Sequence, residues 1–159
     1  MTTPPTFSRI RSGVWIASLL VASVLLTGCG SYAFQGRVIH GSNPEIVVVD
    51  RDDARLEGSG VPGASVRLTL DPESLGRKIL PGQTTRPDGT FSIPVDEFGA
   101  GTLEYNAGLL VRKDGHEAAH SNFPLPRSNE RVLIVLPRGN DTYSEPDNPL
   151  DDLDRFAPN

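Results

Sequence analysis

Short segments in which apolar and polar residues alternate constrain the fold of this chain most strongly. The clearest of them is Ala64-Ser65-Val66-Arg67-Leu68-Thr69-Leu70. Its four apolar side chains would share one face and its three polar side chains the other, which is the period of a half-buried β-strand. No stretch of ten or more residues shows convincing helical periodicity. Short strands separated by Gly- and Pro-containing turns therefore predict an all-β sandwich.

The remaining strand predictions rest on the same alternation and on β-branched residues. They cover residues 32–40, 46–49, 83–85, 90–95, 103–111, 117–123 and 131–136. Pro94 lacks an N–H group, which places its strand at a sheet edge or the last residues of that strand outside the ladder. Segment 131–136 is apolar on both faces, which places it centrally.

Two local structures are predicted between strands. In Arg86-Pro87-Asp88-Gly89 the proline presets a turn and the glycine tolerates positive φ, so this segment should close a hairpin between residues 83–85 and 90–95. Asp71-Pro72-Glu73 should start one helical turn, with Asp71 as its cap and Pro72 in the first position.

The first 28 residues are predicted to be a cleaved signal peptide rather than part of the fold. A start that contains Arg9 and Arg11 but no acidic residue precedes an apolar run of 13 residues, 14–26. A permanent transmembrane helix needs about 20 apolar residues, so this run is short for a span. Small residues and the one cysteine of the chain, Cys29, follow it, as at a signal-peptide cleavage site.

The segment Leu26-Thr27-Gly28-Cys29 resembles the bacterial lipobox. The resemblance implies that the Cys29 thiol receives a diacylglyceryl group, that lipoprotein signal peptidase cleaves before Cys29, and that the new amine is acylated. Two or three acyl chains give stable anchoring to a membrane. The alternative is an ordinary signal peptide with an unrelated cysteine. Gly30 is not the aspartate that favours inner-membrane retention, so the outer membrane, facing the periplasm or the cell surface, is the expected location within the cell envelope.

The sequence therefore predicts four segments: the signal peptide (1–28), the lipidated N-terminus with a short spacer (29–31), the sandwich (32–137) and an acidic tail (138–159). Cleavage would remove the first. The tail has few large apolar groups and is expected to be disordered. The alternative is that Leu150, Leu153 and Phe156 pack onto the domain.

Charge and cysteine content restrict the function further. Removing Arg9 and Arg11 from 15 basic residues leaves 13 against 20 acidic residues, a net charge of −7. Nucleic-acid binding is therefore not expected. Since Cys29 is the one cysteine, no disulfide can brace the domain, which must be held by packing alone.

Four motifs, in order, resemble the carboxypeptidase regulatory-like domain. They are Gly36-Arg37-Val38, Val61-Pro62-Gly63-Ala64-Ser65-Val66-Arg67-Leu68, Thr85-Arg86-Pro87-Asp88-Gly89-Thr90-Phe91 and Val111-Arg112-Lys113-Asp114-Gly115-His116. That family is a seven-stranded, transthyretin-like sandwich with an Ig-like architecture. The resemblance implies an accessory or structural module with no activity and no cofactor of its own.

The segment His116-Glu117-Ala118-Ala119-His120 matches H-E-x-x-H, in which zinc proteases place two histidine ligands and a glutamate base on one helix. Residues four apart are displaced by about 6 Å along a helix. Along a strand they are displaced by about 13 Å and cannot chelate one ion. Gly115 before the motif and Pro124 after it leave little room for a helix, so a solvated turn and an edge strand are predicted. The alternative is a zinc-dependent hydrolase, with His40 or Glu130 as the third ligand.

Two further groups of residues give weaker signals. Asp50, Asp52 and Asp53 could contribute to a calcium site, but a solvated acidic loop is favoured. A lysine–asparagine isopeptide bond has Lys78 and Lys113 as its donors, and both lie in turn-like sequence. The resulting hypothesis is a non-enzymatic envelope lipoprotein, attached to a membrane by lipid on Cys29, whose sandwich is a structural module or binds an envelope protein or a glycan.

Overall fold

The computed structural model describes residues 32–144. Within these residues nine strands form two sheets. The strands are β1 (Ala33–His40), β2 (Glu45–Asp50), β3 (Ser65–Leu70), β4 (Lys78–Ile79), β5 (Gln83–Thr84), β6 (Thr90–Pro94), β7 (Asn106–Arg112), β8 (Ala119–Pro124) and β9 (Glu130–Leu136), and a 3₁₀ helix spans Ala54–Glu57. The all-β prediction is confirmed. The described residues form nine strands where seven were expected, and two of the nine, β4 and β5, contain only two residues each.

The four-stranded sheet has the order β2-β9-β1-β6. β1 and β9 run parallel, and the other neighbours are antiparallel. Val132 and Ile134 of β9 lie in the core, and Leu133 between them is also buried, so β9 is covered on both faces. The predicted central position of this strand is confirmed, as is the edge position of β6, where Pro94 requires no ladder partner on one side.

The five-stranded sheet has the order β4-β3-β7-β8, with β5 also paired to β3. In β3, Val66, Leu68 and Leu70 are buried, whereas the residues between them are not, so the alternation predicted from the sequence is confirmed. Buried side chains from both sheets form one core. The sheets therefore pack face to face as a β-sandwich.

The predicted hairpin around Arg86 to Gly89 is wrong in its pairing, although its turn is present. The Gly89 amide donates to the Arg86 carbonyl oxygen over 2.9 Å, and Gly89 has φ 82°. However, β5 pairs with β3 and β6 pairs with β1, so the turn connects the two sheets. Buried Thr85 holds the crossing segment against the residues before β3, because its hydroxyl oxygen accepts from the Ala64 amide and its hydroxyl donates to the Val61 carbonyl oxygen.

Two further expectations are corrected near the start of β7. Asp71 does not cap a helical turn. It has φ 46°, and its carboxylate accepts the Asn106 amide over 2.9 Å, which ties the segment to β7 as a turn. The strand expected from Leu103 begins at Asn106 instead, and Leu103 lies in the preceding connection with half of its surface exposed.

The sandwich has two ends that differ in their contacts. At the entry end, where β1 begins, lie Tyr32 and the connections 71–77, 95–105 and 125–129. At the far end, where β1 finishes, lie the connections 41–44, 85–89 and 113–118, together with residues 137–141. No helix within residues 32–144 is long and apolar enough to cross a membrane.

Candidate functional site

Tyr32 fixes the chain where it enters the sandwich. Its carbonyl oxygen accepts the Val95 amide over 3.0 Å, and its hydroxyl donates to the Pro126 carbonyl oxygen over 2.7 Å. Burial, assisted by the negative charge of Glu130, raises the pKa of Tyr32 to about 12. A neutral phenol that donates in a partly buried site is disfavoured from ionising. Tyr32 therefore acts as a clamp between two connections of the entry end.

The predicted lipobox residues Leu26, Thr27, Gly28 and Cys29 lie outside the described residues. Covalent geometry nevertheless limits the reach of Cys29. Three peptide units connect it to Tyr32, so no more than about 11 Å can separate the two Cα atoms. Any group attached to Cys29 is therefore tethered close to the entry end.

The H-E-x-x-H segment is extended, and its second half lies in an edge strand as predicted, but His116 is buried and not in a solvated turn. His116 forms a single β-bridge with Arg138, and His120 lies in β8, which is the edge strand of its sheet. His116 is buried, whereas His120 is exposed and its ring lies 4.2 Å from that of Tyr143, measured between centroids. The Glu117 amide donates to the Pro137 carbonyl oxygen. The two histidine rings thus have different neighbours, and the segment lacks the helical arrangement that lets H-E-x-x-H chelate one ion.

The far end does bring two histidines together, but they are His40 and His116. Nε2 of His116 lies 3.4 Å from Nδ1 of His40, the ring centroids are 5.3 Å apart, and the rings are inclined by 29°. The other ring nitrogen of His116 lies 3.2 Å from the Asp114 carbonyl oxygen. His40 is largely exposed, but slight desolvation of its ring, together with the charges of His116 and Arg138, lowers the pKa of His40. The pair therefore favours a neutral His40.

The other residue suggested as a third ligand, Glu130, lies at the entry end. Its carboxylate accepts the Arg127 amide over 2.7 Å. Within residues 32–144 no group of three or more His, Cys, Asp and Glu side chains is arranged to hold a metal ion.

Two open depressions lie at the far end. One, of about 550 Å³, is lined by His40, Gly41, Ser42, Pro137 and Arg138. The other, of about 620 Å³, is lined mainly by polar residues that include Arg112, Lys113, Asp114 and Asp141. Guanidinium, ammonium, imidazole and carboxylate groups therefore share one surface. Such a surface offers hydrogen bonds and charge to a polar partner.

The beginning of the acidic tail contributes to this surface. The Gly139 amide donates to the Gly115 carbonyl oxygen, and the Asp141 carboxylate lies 3.2 Å from Nε of Arg112. Arg112 also donates to the Tyr143 carbonyl oxygen over 2.8 Å. Disorder was expected from Arg138 onward. Residues 138–144 make these contacts, and residues 145–159 lie outside the described part of the chain.

The weaker candidates take other roles. Asp53 caps the 3₁₀ helix by accepting the Arg55 amide, and its carboxylate pairs with the Arg55 guanidinium at 2.8 Å, which lowers the pKa of Asp53. Lys78 pairs with Glu97 at the entry end. Lys113 donates to the Gly63 carbonyl oxygen at the far end. Each lysine therefore contacts a group other than an asparagine side chain.

The chain matches no protein-family model, and no curated protein matches it.

Proposed function

We propose that this chain is the precursor of a bacterial lipoprotein, lipidated at Cys29 and held at the cell envelope. The carrying observation is the position of Cys29. It is the one cysteine of the chain, it completes the lipobox-like Leu26-Thr27-Gly28-Cys29, and it stands three residues before Tyr32, where the described fold begins. Basic and apolar segments precede it in the order of an export signal. We place the mature protein at the outer membrane, because Gly30 follows the cysteine.

We further propose that the sandwich is a transthyretin-like, carboxypeptidase regulatory-like domain. Seven strands of five or more residues in two sheets support this assignment. The motif residues also have structural roles that a shared fold would require. Gly63, Gly89 and Gly115 have φ of 68°, 82° and 75°, which favour glycine. A Cβ at Gly36 would lie 2.2 Å from the Val132 carbonyl oxygen, so the first motif allows close approach of β1 and β9.

The domain acts as a non-catalytic binding or structural module. The extended geometry of His116 to His120 supports this role over the zinc-dependent hydrolase. The polar far end is the surface we assign to an envelope protein or glycan partner. It lies opposite the entry end, to which Cys29 is tethered, and is therefore free to contact a partner.

Metabolic labelling with palmitate tests the lipoprotein proposal. The native chain and the control variant Ser31→Ala should both incorporate label, whereas Cys29→Ala should incorporate none. Labelling is the deciding readout because an uncleaved apolar segment would itself retain Cys29→Ala at the membrane. Labelling of Cys29→Ala, or no labelling of the native chain in a host that lipidates a known lipoprotein, would contradict the proposal.

A further inference from the structure

The exposed large apolar side chains of residues 32–144 all lie in two neighbouring segments that begin and end around the entry end. They are Leu75 (79 % exposed), Ile79 (64 %), Phe98 (88 %) and Leu103 (50 %). Leu75 and Ile79 belong to the segment after β3, and Phe98 and Leu103 to the connection between β6 and β7. Isolated exposed apolar residues are ordinary, but several grouped at one end of a domain mark a contact surface.

The two segments are joined and held in place. The Lys78 ammonium group pairs with the Glu97 carboxylate, next to Ile79 on one side and Phe98 on the other. The Phe98 carbonyl oxygen accepts the Tyr105 hydroxyl over 2.8 Å, and the Leu103 amide donates to the Gly99 carbonyl oxygen over 2.7 Å. Phe98 is therefore displayed from a hydrogen-bonded loop.

The same loop lies against the residue where the chain enters the sandwich. A Cβ built at Gly101 would lie 2.4 Å from the Tyr32 ring, so the loop backbone packs directly on Tyr32. Cys29 is tethered within about 11 Å of Tyr32. The acyl chains of a lipidated Cys29 dissolve in the hydrocarbon core, which the headgroup layer separates from water by about 5–8 Å on each side. A tether this short holds the entry end within reach of the headgroups.

We propose that the entry end rests on the bilayer that holds the Cys29 lipid, with Leu75, Ile79, Phe98 and Leu103 in the interfacial layer. This inference rests on the lipid anchoring proposed above and adds an orientation to it. Aromatic and aliphatic side chains are suited to the boundary between headgroups and acyl chains. The anchored domain then stands with its far end directed away from the membrane.

Charge indicates which lipid the surface fits. At the entry end, residues 71–79, 95–105 and 125–129 contain five acidic residues (Asp71, Glu73, Asp96, Glu97 and Glu104) against three basic residues (Arg77, Lys78 and Arg127). This excess of negative charge gives no attraction to anionic headgroups, so the contact depends on apolar burial. A bilayer of zwitterionic phospholipid is therefore the expected support. A second copy of the chain or another protein are the competing occupants.

Tryptophan fluorescence can locate each end, because Trp15, the one tryptophan of the chain, precedes Cys29 and is absent from the processed protein. We would place a single tryptophan at Phe98 (Phe98→Trp) or at Leu75 (Leu75→Trp). The matched control is Arg86→Trp, in the exposed turn at the far end. Each lipidated protein is reconstituted in phosphatidylcholine vesicles whose acyl chains are brominated. Phe98→Trp and Leu75→Trp should be blue-shifted and lose most of their emission, whereas Arg86→Trp should keep its emission.

The outcomes separate this inference from the proposal beneath it. Intact mass first shows whether Cys29 carries acyl chains, and an unlipidated protein would overturn the anchoring itself. If Cys29 is lipidated but Phe98→Trp and Leu75→Trp are quenched no more than Arg86→Trp, the orientation is wrong and the anchoring stands. If the emission is not quenched but its blue shift increases with the number of protein molecules per vesicle, the surface contacts another protein molecule. That result also overturns the inference.

Discussion

The two ends of the sandwich differ in the contacts that hold them and in the side chains that they expose. The entry end is fastened by the Tyr32 hydroxyl and displays apolar side chains such as Phe98. The far end is fastened by close backbone packing around Gly89 and by the buried Thr85, and it displays the His40–His116 pair and charged side chains. Both ends share one hydrophobic core, but the contacts that hold each end are separate, so a substitution at one end should leave the other intact. A Cβ at Gly101 of the entry end would meet the Tyr32 side chain, whereas one at Gly89 would meet backbone atoms, which cannot move aside, so the far end should be the more sensitive to substitution.

The largest loss of stability is expected from Gly89→Ala. A Cβ there would lie 2.4 Å from the Val38 carbonyl oxygen and 2.8 Å from Gly60 Cα, in a residue with φ 82°. Positive φ alone costs about 1 kcal/mol or more for a non-glycine residue, and a clash with backbone adds to it, so a loss of about 3 kcal/mol is expected. Urea unfolding measures it.

Gly115→Ala is the matched control for this prediction. Gly115 has φ 75°, but no atom lies within 4 Å of a Cβ built there, so it should lose only about 1 kcal/mol. Equal losses for Gly89→Ala and Gly115→Ala would show that close packing does not hold the far end.

Thr85→Val should also destabilise the far end. It removes a buried hydroxyl that accepts the Ala64 amide over 2.8 Å and donates to the Val61 carbonyl oxygen over 2.7 Å. Leaving both groups unpaired costs about 1–3 kcal/mol. Thr84→Val, at an exposed position of β5, should change stability by no more than about 0.5 kcal/mol. A Thr85→Val protein as stable as Thr84→Val would mean that Thr85 does not fix the crossing between sheets.

At the entry end, Tyr32→Phe should lose about 1 kcal/mol, the value of one partly buried hydrogen bond. The raised pKa also has a signature. The folded protein holds the phenol proton of Tyr32 more tightly than the unfolded chain does. The stability that the protonated phenol contributes is therefore complete below pH 10 and is lost as the pH rises toward about 12. In an absorbance titration the ionisation step near pH 12 should disappear in Tyr32→Phe and persist in Tyr105→Phe. Its persistence in Tyr32→Phe would contradict the clamp.

The smallest effect concerns His40. Its pKa is lowered in the folded protein, so the unfolded chain binds more protons below the usual value of 6.5, and the stability linked to His40 falls as the pH drops through that value. His116→Asn removes one source of the shift and should raise the pKa of His40 in an NMR titration. His120→Asn is the control, because His120 contacts Tyr143 instead. If the pKa of His40 is unchanged in His116→Asn, the two histidine rings do not interact electrostatically as the structure indicates.

Sequence alone could predict the features that depend on near neighbours. Alternation in residues 64–70 places side chains on two faces by local geometry, and Pro94 belongs at an edge because it lacks an N–H group. It could not predict contacts set by distant residues. The hydroxyl of Thr85 donates to the carbonyl oxygen of Val61, 24 residues away, at the point where the chain passes from β5 in one sheet to β6 in the other. His40 and His116 are 76 residues apart, and their pairing depends on how both sheets finish at the far end.

Lipidation of Cys29 is tested most directly by the mass of the N-terminal tryptic peptide of the protein extracted from membranes. We expect a peptide of residues 29–37 that begins at Cys29 and carries the mass of two or three acyl chains. A peptide of residues 12–37 that spans an intact Gly28–Cys29 bond, or one with a free Cys29 thiol, would contradict it.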